Sequence, residues 1–178
     1  MVRWTWCWRS NERGKNVTPN FRQILERLAE GELDFVIVGG YAALTHGSTL
    51  VTRDLDICAV LTPENVERLR RLLGDWNPTH RMTPQRLSFL DHPPVGVAVQ
   101  NLYLQTDHGV VDILTSILGV GDFARLREKS EVLEVEGREY RIIALDDLIR
   151  AKEAVGREKD LLAAKELRAI AAKRGKVG

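Results

Sequence analysis

A pair of adjacent glycines, followed after thirteen residues by a pair of aspartates, constrains this chain more than any other feature of its sequence. The run at residues 35–38 before the glycines is apolar and rich in β-branched side chains, which predicts a short buried strand. Gly39 and Gly40 then open into the apolar segment 41–44, so we expect a strand, a tight turn and a helix. The first turn of such a helix presents backbone N–H groups that can hold an anion.

The two aspartates, Asp54 and Asp56, lie two positions apart at the start of a run with strand character that ends at residue 61. Side chains alternate between the faces of a strand, so both carboxylates should share one face, with Leu55 and Ile57 on the other. An anion site beside paired carboxylates suits a bound metal–nucleoside triphosphate. The glycine pair and the aspartate pair each have an alternative, structural explanation. Gly-Gly after a strand is a common turn, and Asp-x-Asp is often a solvated strand edge or a helix cap.

A third acidic side chain, Asp112, is the only charged residue of an apolar run. Segments 101–105 and 110–114 are predicted to form two strands joined by a turn. A carboxylate in such a strand is costly unless it is paired, metal-bound or protonated, or bonded to backbone as a structural residue. If this carboxylate lies beside Asp54 and Asp56, each pair of like charges repels. At a separation of about 4 Å and an effective dielectric constant of about 20, the repulsion is about 4 kcal/mol per pair. At least one pKa should then rise unless a hard cation such as Mg²⁺ binds.

These residues resemble the signature of the nucleotidyltransferase superfamily, which has the polymerase-β-like fold. That signature is an apolar strand, Gly-Gly or Gly-Ser, a spacer, Asp-x-Asp between apolar residues, and a third carboxylate on a later strand. Residues 52–56 match its common Thr-x-Asp-x-Asp form. The resemblance implies an α/β (α+β) fold with a mixed central sheet, flanking helices and a C-terminal helical pair. It also implies two Mg²⁺ ions held by Asp54, Asp56 and Asp112, one lowering the pKa of an attacking hydroxyl and one neutralising the triphosphate as pyrophosphate leaves.

The end of the chain carries a second set of candidate residues. Lys152 lies on one predicted helix, and Arg157, Lys159 and Asp160 open the next. This ending resembles that of small bacterial and archaeal nucleotidyltransferases related to the AbiEii-type toxins. By that resemblance Lys152 and Lys159 hold triphosphate oxygens, and Asp160 orients a cation or caps its helix. From the residues alone, a solvated Lys152 and an Asp160 that pairs with the helix dipole are equally good explanations.

Further nucleotide ligands are expected around the glycine pair. Ser48 follows a glycine, as in the family's usual Gly-Ser, and its hydroxyl either binds phosphate or satisfies a turn. One position departs from the family pattern, because Leu50 stands where relatives often have arginine. The triphosphate must then be held by Arg53, Arg157 or a lysine, or be bound weakly. The nucleotide-binding residues predicted in this region are Gly39, Gly40, Ser48, Thr52 and Arg53.

The chain divides into three predicted parts. Residues 1–18 lack periodicity and form a flexible arm with arginines and tryptophans, whereas residues 19–143 form the catalytic core. Residues 144–178 form helices that pack beside the active site. Thr18 is the predicted cap of the first helix, with Pro19 in its first turn.

Segment 75–99 is the least regular part of the core, because it is rich in proline and has no clear period. We expect a surface connection with a short strand at residues 87–90. Arg81 or Arg86 either contacts substrate or, as is more common for an arginine in a loop, faces water.

Composition limits the class of protein. The 178 residues are 44% hydrophobic and 29% charged with a net charge of +1, which is typical of one globular domain. No apolar stretch is long enough to span a membrane, and the N-terminus has no apolar core of signal-peptide length. Two cysteines make neither a disulfide framework nor a zinc pattern. We therefore expect a cytoplasmic protein with no membrane partner.

Three functions are compatible with these features. The leading hypothesis is a Mg²⁺-dependent nucleotidyltransferase that uses ATP or another nucleoside triphosphate and modifies a hydroxyl of an RNA end, a protein or a small molecule. By resemblance it is a candidate toxin of a toxin–antitoxin pair, with an antitoxin-like partner. The first alternative is a non-catalytic binding module, antitoxin-like or a scaffold, on the same fold. The second is RNA binding by the basic arm, since tryptophans interleaved with arginines can stack on bases.

Overall fold

The computed structural model describes residues 20–174, so the predicted arm at residues 1–18 lies outside the described part of the chain. Its strands are β1 (Phe35–Val38), β2 (Asp54–Ala59), β3 (Thr79–His80), β4 (Asn101–Thr106), β5 (Gly109–Leu114), β6 (Ser116–Ile117), β7 (Gly121–Asp122), β8 (Glu131–Val135) and β9 (Arg138–Ile142). Its helices are α1 (Phe21–Glu30), α2 (Gly39–His46), α3 (Pro63–Leu73), α4 (Phe123–Lys129), α5 (Leu145–Val155) and α6 (Glu158–Arg174).

Seven strands form one mixed sheet in the order β3-β4-β5-β2-β1-β9-β8, while β6 and β7 pair separately. Every residue of β1 is buried, and β1 runs antiparallel to β2. In β2, Leu55 and Ile57 are buried on one face, and the two aspartates on the other are partly exposed, as the alternation predicted. β5 is parallel to β2 and antiparallel to β4, which confirms the predicted hairpin. The mixed sheet with flanking helices confirms the predicted fold class.

The ends of two helices show how local sequence sets the fold. α3 follows Thr62, whose hydroxyl accepts a hydrogen bond from the Asn65 N–H, as expected of a cap. α1 follows Asn20 rather than the predicted Thr18, because the Asn20 side chain accepts a hydrogen bond from the Gln23 N–H. Asparagine is among the strongest caps, so it satisfies the first turn two residues further along the chain.

The irregular segment between α3 and β4 contributes a short edge strand, β3, that the sequence did not indicate. The strand predicted at residues 87–90 is wrong, because only Ser88 forms a single bridge with Thr79. Arg70 is buried, and its Nε donates a hydrogen bond to the Phe89 carbonyl oxygen at 3.0 Å. This carbonyl is therefore paired with a side chain and not with a neighbouring strand.

The C-terminal helices α5 and α6 pack against each other, and both contact α2. Near the end of α6, Arg174 Nη2 donates a hydrogen bond to the His46 carbonyl at 3.1 Å. This contact ties α6 to the end of α2, the helix that begins at the glycine pair. Among residues 20–174, no helix combines the length and the apolar character needed to cross a membrane.

Candidate active site

The sheet brings the three predicted aspartates together. β2 and β5 are parallel neighbours, and their register places Asp56 directly beside Asp112, with Asp54 two residues earlier on the same face of β2. One carboxylate oxygen from each aspartate lies within 4.8 Å of the other two. Asp112 is only 5% exposed, so its charge requires a partner. A cluster made of oxygen donors alone fits a hard divalent cation such as Mg²⁺.

The electrostatics of the cluster follow from this crowding. Burial, and then the neighbouring charges of Asp54 and Asp112, raise the pKa of Asp56 to about 7. Burial also raises the pKa of Asp112, although a guanidinium opposes that rise. Near neutral pH the site therefore holds a proton that a bound cation would displace.

The glycine pair is required by close packing against the aspartates. Gly39 has φ +64°, and a Cβ at this position would overlap the Asp56 carboxylate. A Cβ on Gly40 would overlap Thr52, whose hydroxyl donates a hydrogen bond to Asp54 Oδ1 at 2.8 Å. The Gly40 N–H, expected to face an external anion, is directed at Asp56 Oδ2 at 3.4 Å. The turn therefore positions the carboxylates as well as lining the cavity.

A second group of charges lies where α5 meets α6. Asp160 is 2% exposed and accepts a hydrogen bond from Lys152 Nζ at 3.0 Å and another from Arg157 Nε. Burial opposes ionisation of Asp160, but these hydrogen bonds and charges keep its pKa below the usual value. Both cations, together with the exposed Lys159, line the same cavity as the aspartates. Asp160 therefore orients two cations, which extends the prediction that it would orient one.

Arg81 lies next to the aspartates, in a contact with Asp112 that the sequence did not indicate. Its guanidinium holds both oxygens of Asp112, with Nε to Oδ1 at 3.0 Å and a second contact from Nη2 to Oδ2. The Arg81 backbone N–H donates to the Tyr103 carbonyl at 2.9 Å, and the guanidinium lies 5.5 Å from the centre of the Tyr103 ring. The sequence analysis favoured an arginine that faces water at this position. The contact between Arg81 and Asp112 depends on the pairing of β3 with β4, because Arg81 directly follows β3.

These groups line one open cavity of about 1160 Å³. Sites that take one small ligand usually measure about 300–1,000 Å³, so this cavity is slightly larger than is usual for one ligand. Predicted residues that line it are Gly40, Thr52, Arg53, Asp54, Asp56, Asp112, Lys152, Arg157 and Lys159.

Several solved structures share this architecture. The lincosamide antibiotic adenylyltransferase LnuA, solved with lincomycin bound, has a TM-score of 0.57 and 16% identity over 84% of this chain and 95% of that chain. A Thermotoga maritima protein assigned as a nucleotidyltransferase has a TM-score of 0.51 and 18% identity over 86% and 91%. The antigenic nucleotidyltransferase-like protein of Paracoccidioides brasiliensis has a TM-score of 0.51 and 13% identity over 88% and 76%. This chain has the nucleotidyltransferase fold.

No family model matches the chain, and a search of curated proteins found no match. At these low identities the likeness establishes the nucleotidyltransferase fold alone.

Ser48 and Leu50, which the sequence analysis compared with the family pattern, have different environments in the structure. The Ser48 hydroxyl donates a hydrogen bond to Glu166 of α6, and Ser48 is buried away from the cavity lining. The same carboxylate accepts from the Thr49 N–H at 2.9 Å and from the Thr49 hydroxyl at 2.8 Å. Ser48 Oγ also accepts a hydrogen bond from the Leu50 N–H at 3.2 Å, a local turn contact of the kind that was one of its two predicted roles. Leu50, at the position where relatives often carry arginine, lines the cavity with an apolar side chain.

Proposed function

We propose that this chain is a Mg²⁺-dependent nucleotidyltransferase that moves a nucleoside monophosphate from a nucleoside triphosphate to a hydroxyl acceptor and releases pyrophosphate. The convergence of Asp54, Asp56 and Asp112, with carboxylate oxygens within 4.8 Å of one another on a nucleotidyltransferase fold, is the observation that supports this most strongly.

The aspartates would hold two Mg²⁺ ions, as the family resemblance implies. Ions bound there would lower the pKa of the attacking hydroxyl and neutralise negative charge on the triphosphate. The Thr52 hydroxyl fixes the rotamer of Asp54 through its hydrogen bond to Oδ1, so that this carboxylate faces the cavity before any ligand arrives.

The cations at the junction of α5 and α6 are proposed to hold the triphosphate. Lys152 and Arg157 are already oriented by the buried Asp160, and Lys159 adds a third positive charge on the cavity wall. Oriented donors lose less side-chain entropy on binding than free ones. With Leu50 in place of an arginine, Arg157 and the exposed Arg53 are the guanidinium groups available for the phosphates.

The proposed transfer is a single displacement at the α-phosphorus of the nucleoside triphosphate. The acceptor oxygen forms a bond to the α-phosphorus while the bond from that phosphorus to the bridging oxygen breaks. Pyrophosphate leaves with the electron pair of the broken bond, and the hydroxyl proton passes to a carboxylate of the cluster and then to water. The protein's contribution is the position of the reactants and the stabilisation of charge.

Calorimetry with Mg-ATP, Mg-GTP, Mg-CTP and Mg-UTP tests the donor side of this proposal. We expect metal-dependent binding that is lost in the double variant Asp54→Asn/Asp56→Asn and kept in Asp91→Asn, which changes an exposed aspartate outside the cavity. Binding of no nucleotide by the intact protein would favour the non-catalytic module instead. Incorporation of labelled nucleotide into total RNA, total protein and small molecules then identifies the acceptor. A role in a toxin–antitoxin pair stays a prediction from the sequence.

A further inference from the structure

Arg81 lies at the end of the site opposite the triphosphate cations. The register of the sheet places Tyr103, Asp112, Asp56 and Val38 side by side on neighbouring strands. Arg81 is bonded to the Tyr103 end of this row. The other end leads into α2, against which α5 and α6 pack. The cations of α5 and α6 and the guanidinium of Arg81 therefore flank the aspartates from two sides.

We expect the second substrate on the Arg81 side of the cavity. The cavity of about 1160 Å³ slightly exceeds the usual size of a site for one small ligand, which is about 300–1,000 Å³. Apart from the side lined by Lys152 and Arg157, the cavity lining includes Arg81, Met82, Tyr103 and Leu114. Of these, Leu114 lies on the same strand as Asp112, and Tyr103 pairs with Asp112 from the neighbouring strand. An acceptor that reaches Asp112 must contact this group.

Binding of cations by the aspartates would weaken the pairing of Arg81 with Asp112. Arg81 contacts both oxygens of Asp112, so a metal ion bound to either oxygen draws its electron density and competes with the guanidinium for it. The Arg81 side chain is only 27% exposed, and a guanidinium keeps its charge at every physiological pH. A partly buried cation of fixed charge is costly until another anion replaces the first.

We propose that Arg81 determines acceptor specificity by binding an anionic group, a phosphate or a carboxylate, that neighbours the acceptor hydroxyl. This inference rests on the proposed function. Arg81 already holds an oxyanion with both arms of its guanidinium, and the backbone contact with Tyr103 keeps it next to the reacting groups. A polycationic acceptor would meet like charge at this position and is disfavoured.

The test uses the full chain loaded with Mg²⁺ and a non-hydrolysable ATP analogue, so that the triphosphate cations are occupied. Glycerol 3-phosphate, glycerate and glycerol are then titrated while protein amide shifts are followed by NMR. The three probes share a hydroxyl and differ in a phosphate, a carboxylate or no charge. We expect glycerol 3-phosphate to bind about tenfold more tightly than glycerol, because a charge-assisted bidentate pair adds more than one ordinary hydrogen bond. Preference for glycerate alone supports the same proposal and identifies the anion as a carboxylate.

Two arginines of one loop give a matched comparison. Arg81→Gln should reduce the affinity for glycerol 3-phosphate to that for glycerol, and Arg81→Lys should restore part of it. Arg86→Gln should change nothing, because Arg86 is exposed and does not line the cavity. Binding of the analogue by each variant shows that the variant is folded.

The outcomes separate the two proposals. If the ATP analogue does not bind to the intact protein, the proposed function fails and this inference fails with it. If the analogue binds but charged and uncharged probes bind equally, or if Arg81→Gln keeps the preference, only the role of Arg81 is overturned.

Discussion

Asp56 and Asp112 occupy paired positions on the parallel strands β2 and β5, so the hydrogen-bond register of the sheet fixes the separation of two acidic side chains. Their backbones cannot move apart without breaking the centre of the sheet. Burial and the charge of neighbouring aspartates raise the pKa of both groups, and that of Asp56 reaches about 7. The fold thus accepts an electrostatic cost that a bound cation relieves.

This cost predicts that the protein loses stability as pH rises. The folded protein keeps the Asp56 proton up to about pH 7, whereas the unfolded chain releases it near the ordinary value of 3.8. The stability that the protonated Asp56 contributes is fully present below its pKa in the unfolded chain. It is lost as pH rises through its pKa in the folded protein. We expect the free energy of unfolding, measured with urea in the absence of divalent ions, to fall by on the order of 3 kcal/mol between about pH 4 and about pH 8.

Asp56→Asn should remove most of this pH dependence, whereas Asp91→Asn, at an exposed position, should keep it. Saturating Mg²⁺ should flatten the profile in the unaltered protein, because the cation replaces the proton. A profile that rises with pH in the absence of metal would show that Asp56 is ionised in the folded state.

Gly39→Ala tests the close approach of the glycine turn to the carboxylates. Alanine at this position is strained by the positive φ and also overlaps Asp56. Gly96→Ala is the matched control, since Gly96 also has positive φ but has nothing within 4 Å of an added Cβ. We expect both variants to lose about 1–2 kcal/mol of stability from backbone strain, and Gly39→Ala alone to lose Mg-nucleotide binding in calorimetry. Equal nucleotide binding by the two variants would contradict the role given to the turn.

The strands and aspartates of the site could be predicted because their signals are local. An apolar run, a Gly-Gly turn and period-two alternation place Asp54 and Asp56 on one face within about twenty residues. The hairpin containing Asp112 has the same kind of signal, and the family resemblance placed Asp112 in one metal site with Asp54 and Asp56.

Arg81 and Glu166 could not be identified in the same way. Arg81 meets Asp112 across 31 positions and Glu166 meets Ser48 across 118, in each case through packing that no local pattern encodes. Arg81 follows a strand of only two residues, whose pairing depends on the register with β4. An arginine in a proline-rich loop and a glutamate in a helix are ordinary surface residues in the sequence alone.

Glu166→Ala tests whether α6 positions the loop that leads to the aspartates. Glu166 accepts three hydrogen bonds from Ser48 and Thr49, and the next residues of this loop, from Leu50 onward, line the cavity. We expect faster hydrogen exchange at the Thr49 amide and an affinity for Mg-ATP weakened by about threefold to tenfold, because the wall loses its anchor. The matched control is Glu153→Ala, which removes an exposed ion pair between Glu153 of α5 and Arg168 of α6. Weaker nucleotide binding with unchanged Thr49 exchange would rule out positioning as the cause.

Arg81→Gln should strengthen the binding of Mn²⁺ used as a probe of the metal site. The guanidinium competes with a cation for both oxygens of Asp112, so its removal frees a ligand and makes the cluster more negative. We expect affinity for Mn²⁺, measured by electron paramagnetic resonance, to increase by about threefold to tenfold. Arg86→Gln should leave this affinity unchanged. Weaker Mn²⁺ binding in Arg81→Gln would mean that Arg81 holds Asp112 in the ligating position instead of competing for it.

Asp160→Asn tests whether the two cations on α5 and α6 need their shared carboxylate. Asparagine keeps only one acceptor oxygen and carries no charge, so Lys152 and Arg157 would repel each other and at least one would lose its orientation. We expect affinity for Mg-ATP, measured by calorimetry, to fall by about tenfold, while Mn²⁺ binding at the aspartates is unchanged.

Asp147→Asn is the control for the structural cost of this change. Asp147 is also buried, and it pairs with two arginines, Arg125 and Arg150, away from the cavity lining. Removing either carboxylate leaves two cations without their common partner, and in each cluster one arginine is more than half exposed, so water solvates part of the released charge. Both variants should therefore lose a similar amount of stability, about 1–3 kcal/mol. Only Asp160→Asn should also weaken nucleotide binding, because only its cations face the cavity. If both variants bind Mg-ATP equally well, the Asp160 cluster supports the helices and the triphosphate is held elsewhere.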